Sequence, residues 1–127
     1  MRILGIDYGT KRIGLAVSDE LGMLARELAI LSPREFFVQL PGIVFEHDIQ
    51  TIVLGWPLNM SGEKSAKTRE VETFKSKLGS LAAVPVILMD ERLSSVMAGK
   101  LPGGHRNVDS LAAQIILQNY LDKQKNK

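Results

Sequence analysis

The stretch Met1-Arg-Ile-Leu-Gly-Ile-Asp-Tyr-Gly-Thr-Lys-Arg-Ile-Gly-Leu-Ala-Val-Ser18 decides the fold, because it has the pattern of a strand, a glycine turn and a second strand. Side chains alternate between the faces of a strand, so Leu4 and Ile6 share one apolar face while Gly5 and Asp7 lie on the other. Carboxylates are depleted in strands and costly to desolvate, so an acid here needs an explanation. A bound metal ion or a phosphate-handling site would supply one. The structural alternative is an aspartate that caps the glycine turn.

The pattern beyond this stretch predicts an α/β fold. The predicted strands span residues 2–7, 12–18, 23–31, 51–55 and 84–89. The predicted helices span residues 63–80, 93–101 and 108–122, preceded by one that starts at Ser32-Pro33. Short glycine-containing links make the first three strands antiparallel, and strands separated by helices are expected to be parallel. We therefore expect a mixed five-stranded sheet, three antiparallel strands then two parallel, flanked by helices. Pro41-Gly42 is expected to kink or split the first helix.

The composition is that of one globular domain covering residues 1–127, with a lysine-rich tail at 123–127 that is expected to fray. The chain is 45% apolar and 24% charged, which is too apolar for disorder. It contains no cysteine, which excludes disulfides and thiolate chemistry. Met1 leads almost directly into a strand, and no apolar run has the roughly 20 residues of a membrane helix. We expect a cytoplasmic protein with no membrane partner.

Acids follow the predicted strands at points that the topology brings to one edge of the sheet. Asp7 ends the first strand, Asp90-Glu91 follows the fifth, and Asp109 opens the last helix. Ligand sites in open α/β sheets form at the carboxyl ends of parallel strands. Alternation leaves open whether Asp90 or Glu91 faces such a site, and the structural alternative for Asp109 is a helix cap. Three carboxylates suit Mg²⁺ or Mn²⁺, and a pair of these ions could clamp a phosphodiester and activate the attacking water.

Two basic residues in the first turn, Lys11 and Arg12, are candidates for contacts with phosphates. The alternative is that both are simply solvated surface residues. The net charge of +2 is too small to indicate nucleic-acid binding on its own, so the positions of the basic residues must carry that interpretation.

Four segments together resemble the YqgF family, also called RuvX, whose members are described as pre-16S rRNA nucleases and as Holliday junction resolvase-like proteins. The matching segments, in order and over nearly the whole chain, are Gly5–Asp19, Ile52–Gly62, Asp90–Ser95 and Val108–Leu117. The resemblance implies an RNase H-like fold and metal-dependent phosphodiester hydrolysis. It also implies a role in trimming the 5′ end of pre-16S rRNA during ribosome maturation.

Carried over by motif, the resemblance implies a catalytic and metal-binding triad of Asp7, Glu91 and Asp109. It favours Glu91 over Asp90, and we assign Arg92 to substrate binding together with Lys11 and Arg12. One departure concerns the segment between Arg92 and Val108, which is shorter than family members usually have and is interrupted by Pro102-Gly-Gly104. This departure concerns how the chain holds its substrate rather than the chemistry of the acids.

The expected partners are pre-rRNA, a ribosomal precursor particle and structured DNA, bound by a monomer or a homodimer. One alternative is a Holliday junction resolvase that cuts four-way DNA with the same chemistry. Gly5-Ile-Asp-Tyr-Gly-Thr10 also resembles the first phosphate loop of the actin, sugar-kinase and chaperone ATPases, which leaves a nucleotide-binding module as a second alternative. A non-catalytic RNA-binding module is the third.

Overall fold

A computed structural model of the chain describes residues 2–56, 66–90 and 108–125. At residues 56, 66–68, 90, 108–110 and 125 it describes the backbone alone. The elements are β1 Arg2–Asp7, β2 Ile13–Ser18, β3 Ala25–Leu31, α1 Pro33–Glu46, β4 Ile49–Trp56, α2 Ala66–Ala82, β5 Val86–Asp90 and α3 Val108–Lys125. All five predicted strands are present, each within a few residues of its predicted bounds. The short helix predicted at 93–101 lies outside the described residues.

The five strands form one mixed sheet in the order β3-β2-β1-β4-β5. β2 pairs antiparallel with both β1 and β3, while β4 pairs parallel with both β1 and β5. The predicted strand directions are therefore confirmed. Because β1, β4 and β5 point the same way, their carboxyl ends share one edge of the sheet, where Ile6 pairs with Leu54 and Trp56 pairs with Asp90. We call this the carboxyl edge.

Helix α1 starts with a complete capping box at Ser32. The Glu35 backbone N–H donates to the Ser32 Oγ at 3.1 Å, and the Ser32 backbone N–H donates to the Glu35 carboxylate at 2.9 Å. The hydrogen bond from the Ser32 backbone, with a smaller contribution from the Ser32 side chain, holds the pKa of Glu35 below its ordinary value of 4.5.

The expectation that Pro41 splits the helix is wrong, because α1 runs unbroken from Pro33 to Glu46. Pro41 and Gly42 lie on the exposed face, and the buried side chains of Phe36 and Leu40 hold the turns before them.

The two faces of the sheet are covered by different helices. On one face, Leu4 and Ile6 of β1 join a core with residues of α1 and α2, among them Phe36, Phe74 and Leu78. On the other face, α3 packs with Ala113, Ile116 and Leu117 against small and apolar residues of the strands, which are Ala16, Ala25, Val53 and Met89. The predicted division of β1 into two faces is confirmed.

The other two helices differ from prediction at their ends. α2 continues to Ala82, two residues beyond the predicted end, and its predicted first residues at 63–65 lie outside the described residues. α3 continues to Lys125, three residues beyond the predicted end, so the backbone at 123–125 is helical. No helix in the described part of the chain has the length and apolarity needed to cross a membrane.

Candidate functional site

Asp7 is the last residue of β1 and stands at the carboxyl edge, where its backbone is paired with Gly14 of β2. It is half-buried, and strand alternation places it on the same face as Gly5, the face that α3 covers. The sequence predicted this position for Asp7, and the structure confirms that the acid lies on the edge where β1, β4 and β5 end.

Gly5 sets how closely α3 approaches this face. A Cβ atom placed on Gly5 would lie 2.7 Å from the Leu117 Cβ and 3.2 Å from the Ala113 carbonyl oxygen. Carbon atoms in contact lie about 3.5–4.0 Å apart, so no larger residue fits here unless the helix moves. The absence of a side chain at residue 5 therefore allows α3 to pack directly on the β1 backbone.

Two glutamines show which way α3 runs over the sheet. The Gln114 side-chain amide donates to the Ala25 carbonyl at 3.2 Å. One turn later, the Gln118 carbonyl oxygen accepts from the Ala25 N–H at 2.8 Å, and its amide donates to the Met23 carbonyl at 3.1 Å, nearer the tip of the β2–β3 hairpin. This hairpin lies at the amino end of β1, where the Ser18 Oγ accepts from the Ile3 N–H at 2.8 Å. The helix therefore runs toward that end, and its first turn lies toward the carboxyl edge.

Asp109 belongs to this first turn of α3, although only its backbone is described. It precedes Ala113 by four residues, which is one helical turn, or about 6 Å of rise. Asp7 follows Gly5 by two strand residues, a rise of about 6.6 Å. Both acids therefore lie on the carboxyl-edge side of the contact between α3 and Gly5.

The acids predicted after β5, and the arginine beside them, are not tested by the geometry. Glu91 and Arg92 lie outside the described residues, and Asp90 is described by its backbone alone, as the last residue of β5. Within residues 2–56, 66–90 and 108–125, no group of three His, Asp or Glu side chains is placed to hold a metal ion. The three-carboxylate site of Asp7, Glu91 and Asp109 stays a prediction.

The predicted phosphate contacts, Lys11 and Arg12, lie in the exposed turn between β1 and β2, next to the carboxyl edge. Gly9 shapes this turn, because a Cβ atom there would collide with the Arg12 carbonyl oxygen. The turn thus carries two basic residues on a tightly folded backbone beside Asp7. Their contact with phosphates is untested by the structure.

Sequence reasoning missed the roles of Gly5, Gln114 and Gln118. A glycine inside a strand signals a close approach of another backbone, but the sequence does not say which element approaches. Gln114 and Gln118 are four residues apart, so they occupy one side of α3. Two polar side chains on one side of a packed helix were the available signal that this side bonds to a neighbouring backbone.

The comparisons with known proteins cover almost the entire chain. The sequence model of the family described as "RuvX: Holliday junction resolvase" matches residues 1–123. A relative from Geobacillus thermodenitrificans is 38% identical over 98% of this chain and all of its own length. A relative from Thermoanaerobacter pseudethanolicus is 38% identical over the full length of both chains. Both carry the name "Putative pre-16S rRNA nuclease".

The Thermoanaerobacter pseudethanolicus alignment also compares the chain lengths. It extends over 139 positions, against the 127 residues of this chain, so 12 positions of that relative have no counterpart here. The expectation was a short segment between Arg92 and Val108. The alignment length shows that this chain is the shorter one but does not locate the missing residues in that segment.

Solved structures resemble this fold at low sequence identity. RuvC of T. thermophilus in complex with a Holliday junction substrate has a TM-score of 0.68 at 15% identity, with 98% of this chain and 96% of that chain covered. The Holliday junction resolvase of fowlpox virus has a TM-score of 0.57 at 12% identity, with 97% of this chain and 99% of that chain covered. At these identities the likeness concerns the fold alone, and it confirms the predicted RNase H-like class.

Proposed function

The chain belongs to the RuvX family of Holliday junction resolvases, and from this premise we propose that it trims the 5′ end of pre-16S rRNA by metal-dependent hydrolysis. The predicted family and the predicted enzyme class, a hydrolase that acts on phosphodiester bonds, are confirmed by this membership. The rRNA substrate is the one that the names of the full-length relatives give. We place this activity in a single domain, in the cytoplasm, on a ribosomal precursor particle.

The observation that carries the proposal is the position of Asp7. It is a half-buried carboxylate at the end of a central strand, beside a turn with two basic residues and on the face of the sheet that α3 covers. Carboxylate oxygens are ligands that Mg²⁺ and Mn²⁺ prefer. An acid at the carboxyl edge, where ligand sites of open α/β sheets form, therefore supports a site that binds cations and phosphates.

The proposed roles follow from this arrangement. Asp7, Glu91 and Asp109 would hold one or two Mg²⁺ or Mn²⁺ ions, since hard cations prefer carboxylate oxygen ligands. When bound, these cations would neutralise charge on the scissile phosphate and lower the pKa of the attacking water. Lys11, Arg12 and Arg92 would position phosphates of the substrate, and in-line attack of water on phosphorus would leave a 5′-phosphate.

A second candidate substrate is four-way DNA. The family description names Holliday junction resolvases, and a structural neighbour is in complex with a Holliday junction. The same three carboxylates would serve both substrates, so the choice depends on which nucleic acid the exposed turn and the segment after β5 accept. A resolvase acts as a symmetric dimer, so the oligomeric state in solution separates the two candidates as well.

The test is an incubation of the purified chain with a pre-16S 5′ fragment and with a four-way DNA junction, each with Mn²⁺ and with EDTA. We expect Mn²⁺-dependent cleavage of the RNA fragment by the wild type and none by Asp7→Asn. Preferred cleavage of the junction by a dimer would replace the rRNA assignment by the resolvase assignment. Tight ATP binding without cleavage of either substrate would contradict both, as would full function of Asp7→Asn in cells.

A further inference from the structure

We propose that Tyr8 is a positioning residue, whose ring fixes the catalytic carboxylate of Asp7 by anchoring the end of β1 in an aromatic cluster formed with α1 and α2. This inference rests on the proposed function, because it concerns the placement of a residue assigned to catalysis there. In this proposal α1 and α2, which cover the face of the sheet opposite to Asp7, help to hold Asp7 in place.

The aromatic cluster consists of Tyr8, Phe36, Phe37 and Phe74. The Tyr8 ring lies 4.6 Å from the Phe74 ring, between centroids. Phe74 in turn lies 5.5 Å from both Phe36 and Phe37. These separations are typical of favourable aromatic pairs. The cluster therefore connects the residue after β1 to α2 through Phe74, and to α1 through Phe36 and Phe37.

Asp7 and Tyr8 are adjacent but belong to opposite sides of the sheet. Tyr8 packs against the core that contains Leu4 and Ile6, whereas Asp7 shares the face of Gly5, which α3 covers. The Tyr8 ring thus holds the peptide between them from the side of α1 and α2. The exposed turn with Lys11 and Arg12 follows directly. The packed Tyr8 ring therefore lies between the end of β1 and this surface turn.

Loss of the ring should change chemistry more than binding. A misplacement of about 1 Å at a reacting group can cost about 100-fold in rate. We expect Tyr8→Leu, which keeps an apolar side chain but loses the ring, to lower kcat by about tenfold or more with KM for the RNA fragment nearly unchanged. Tyr8→Phe keeps the ring and should stay within about twofold of the wild type, since the hydroxyl has no part in the proposal.

A double-mutant cycle tests whether Tyr8 acts through its contact with Phe74. If it does, Phe74→Leu alone should lower kcat as Tyr8→Leu does, and the double variant should lose little more than either single variant. Phe45→Ala is the matched control, because Phe45 is an aromatic residue of the adjacent helix that is 87% exposed. It should leave kcat unchanged and be additive with Tyr8→Leu.

Two readouts do not depend on turnover. Titration with Mn²⁺ alone by calorimetry should show weaker binding to Tyr8→Leu than to the wild type and to Tyr8→Phe. Amide NMR resonances of Asp7 and Gly9 should shift in Tyr8→Leu and Phe74→Leu but not in Phe45→Ala. All measurements are made well below the melting temperature of each variant.

The outcomes separate this inference from the proposed function. A wild type that cleaves no substrate with Mn²⁺ contradicts the proposed function. A wild type that cleaves, combined with Tyr8→Leu at full kcat and unchanged Mn²⁺ binding, overturns the anchoring role alone. Loss of activity in Tyr8→Phe would also overturn it, because the hydroxyl would then act in the chemistry.

Discussion

Replacement of Gly5 by alanine is the sharpest probe of how α3 is held on the sheet. The added Cβ would lie 2.7 Å from the Leu117 Cβ, an atom fixed to the helix backbone, and 3.2 Å from the Ala113 carbonyl oxygen. Since carbon contacts need about 3.5 Å or more, α3 must move away by roughly 1 Å. The contact cannot be relieved by a rotamer change, because neither atom belongs to the free end of a side chain.

The cost in stability can be estimated from overpacking. An extra methyl group in a packed core costs about 1–3 kcal/mol. Alanine offsets about 0.4–1 kcal/mol of this cost, because it lowers the conformational entropy of the unfolded chain relative to glycine. We therefore expect Gly5→Ala to lower the free energy of unfolding by about 1–2 kcal/mol, which corresponds to a Tm lower by roughly 3–8 °C.

Activity should fall by more than stability explains. A shift of α3 by roughly 1 Å also moves the backbone of Asp109 relative to Asp7. If both acids act in the proposed site, such a displacement can cost up to about 100-fold in kcat. The assays are thermal unfolding by circular dichroism and Mn²⁺-dependent cleavage of the RNA fragment at 25 °C, where the variant is still folded.

Gly79→Ala is the matched control for this substitution. A Cβ at Gly79 meets no atom within 4 Å, and the residue lies on the exposed face of α2. Alanine there should stabilise the protein by about 0.5–1 kcal/mol, because glycine is a poor helix former, and should leave kcat unchanged. If Gly5→Ala matched Gly79→Ala in stability and activity, the close approach of α3 to β1 would not set the site geometry.

Three further predictions concern α1 and the turn after β1. Ser32→Ala should lower the free energy of unfolding by about 1 kcal/mol through loss of the helix cap, measured by urea denaturation. The pKa of Glu35 is lowered in the folded state, so its contribution to stability should be present above pH 4.5 and be lost as the pH falls through the folded pKa. A difference in the free energy of unfolding between wild type and Glu35→Gln that persists in acid would contradict this. Lys11→Ala and Arg12→Ala should weaken RNA binding and each reduce the slope of log affinity against log salt by about 0.7, and an unchanged slope would remove that residue from the phosphate contacts.

The local patterns in the sequence were enough to predict the strand directions and the start of α1. Alternation and short glycine links determine how β1, β2 and β3 pair, and Ser32-Pro33 is a helix start that depends only on residues within one turn. Pro41 does not split α1 as the sequence suggested. It lies on the exposed face of the helix, where a missing backbone hydrogen-bond donor is better tolerated than on a buried face.

The candidate site was harder to predict from local sequence, because its residues would come together only through contacts between distant segments. By its own neighbours, Asp109 is an ordinary acid in a first helical turn. Its proposed place in a site with Asp7 depends on the contact of α3 with Gly5, near the opposite end of the chain. The topology alone suggested that these acids share one edge, but the family resemblance was needed to favour Asp109 over its alternative as a helix cap. The resemblance also chose Glu91 over Asp90, a choice that strand alternation alone left open.

The most direct test of the central claim is the Mn²⁺-dependent cleavage rate of Asp7→Asn, Glu91→Gln and Asp109→Asn, measured on the pre-16S 5′ fragment beside wild type. The amide variants keep the size of each side chain and remove its charge, so folding, checked by circular dichroism, should be preserved. If the three carboxylates form one metal-dependent site, each variant should lose cleavage by at least about 100-fold, as expected when one member of a catalytic set is removed. Full metal-dependent cleavage by all three would contradict the account, because the half-buried Asp7 at the carboxyl edge would then have no part in the chemistry.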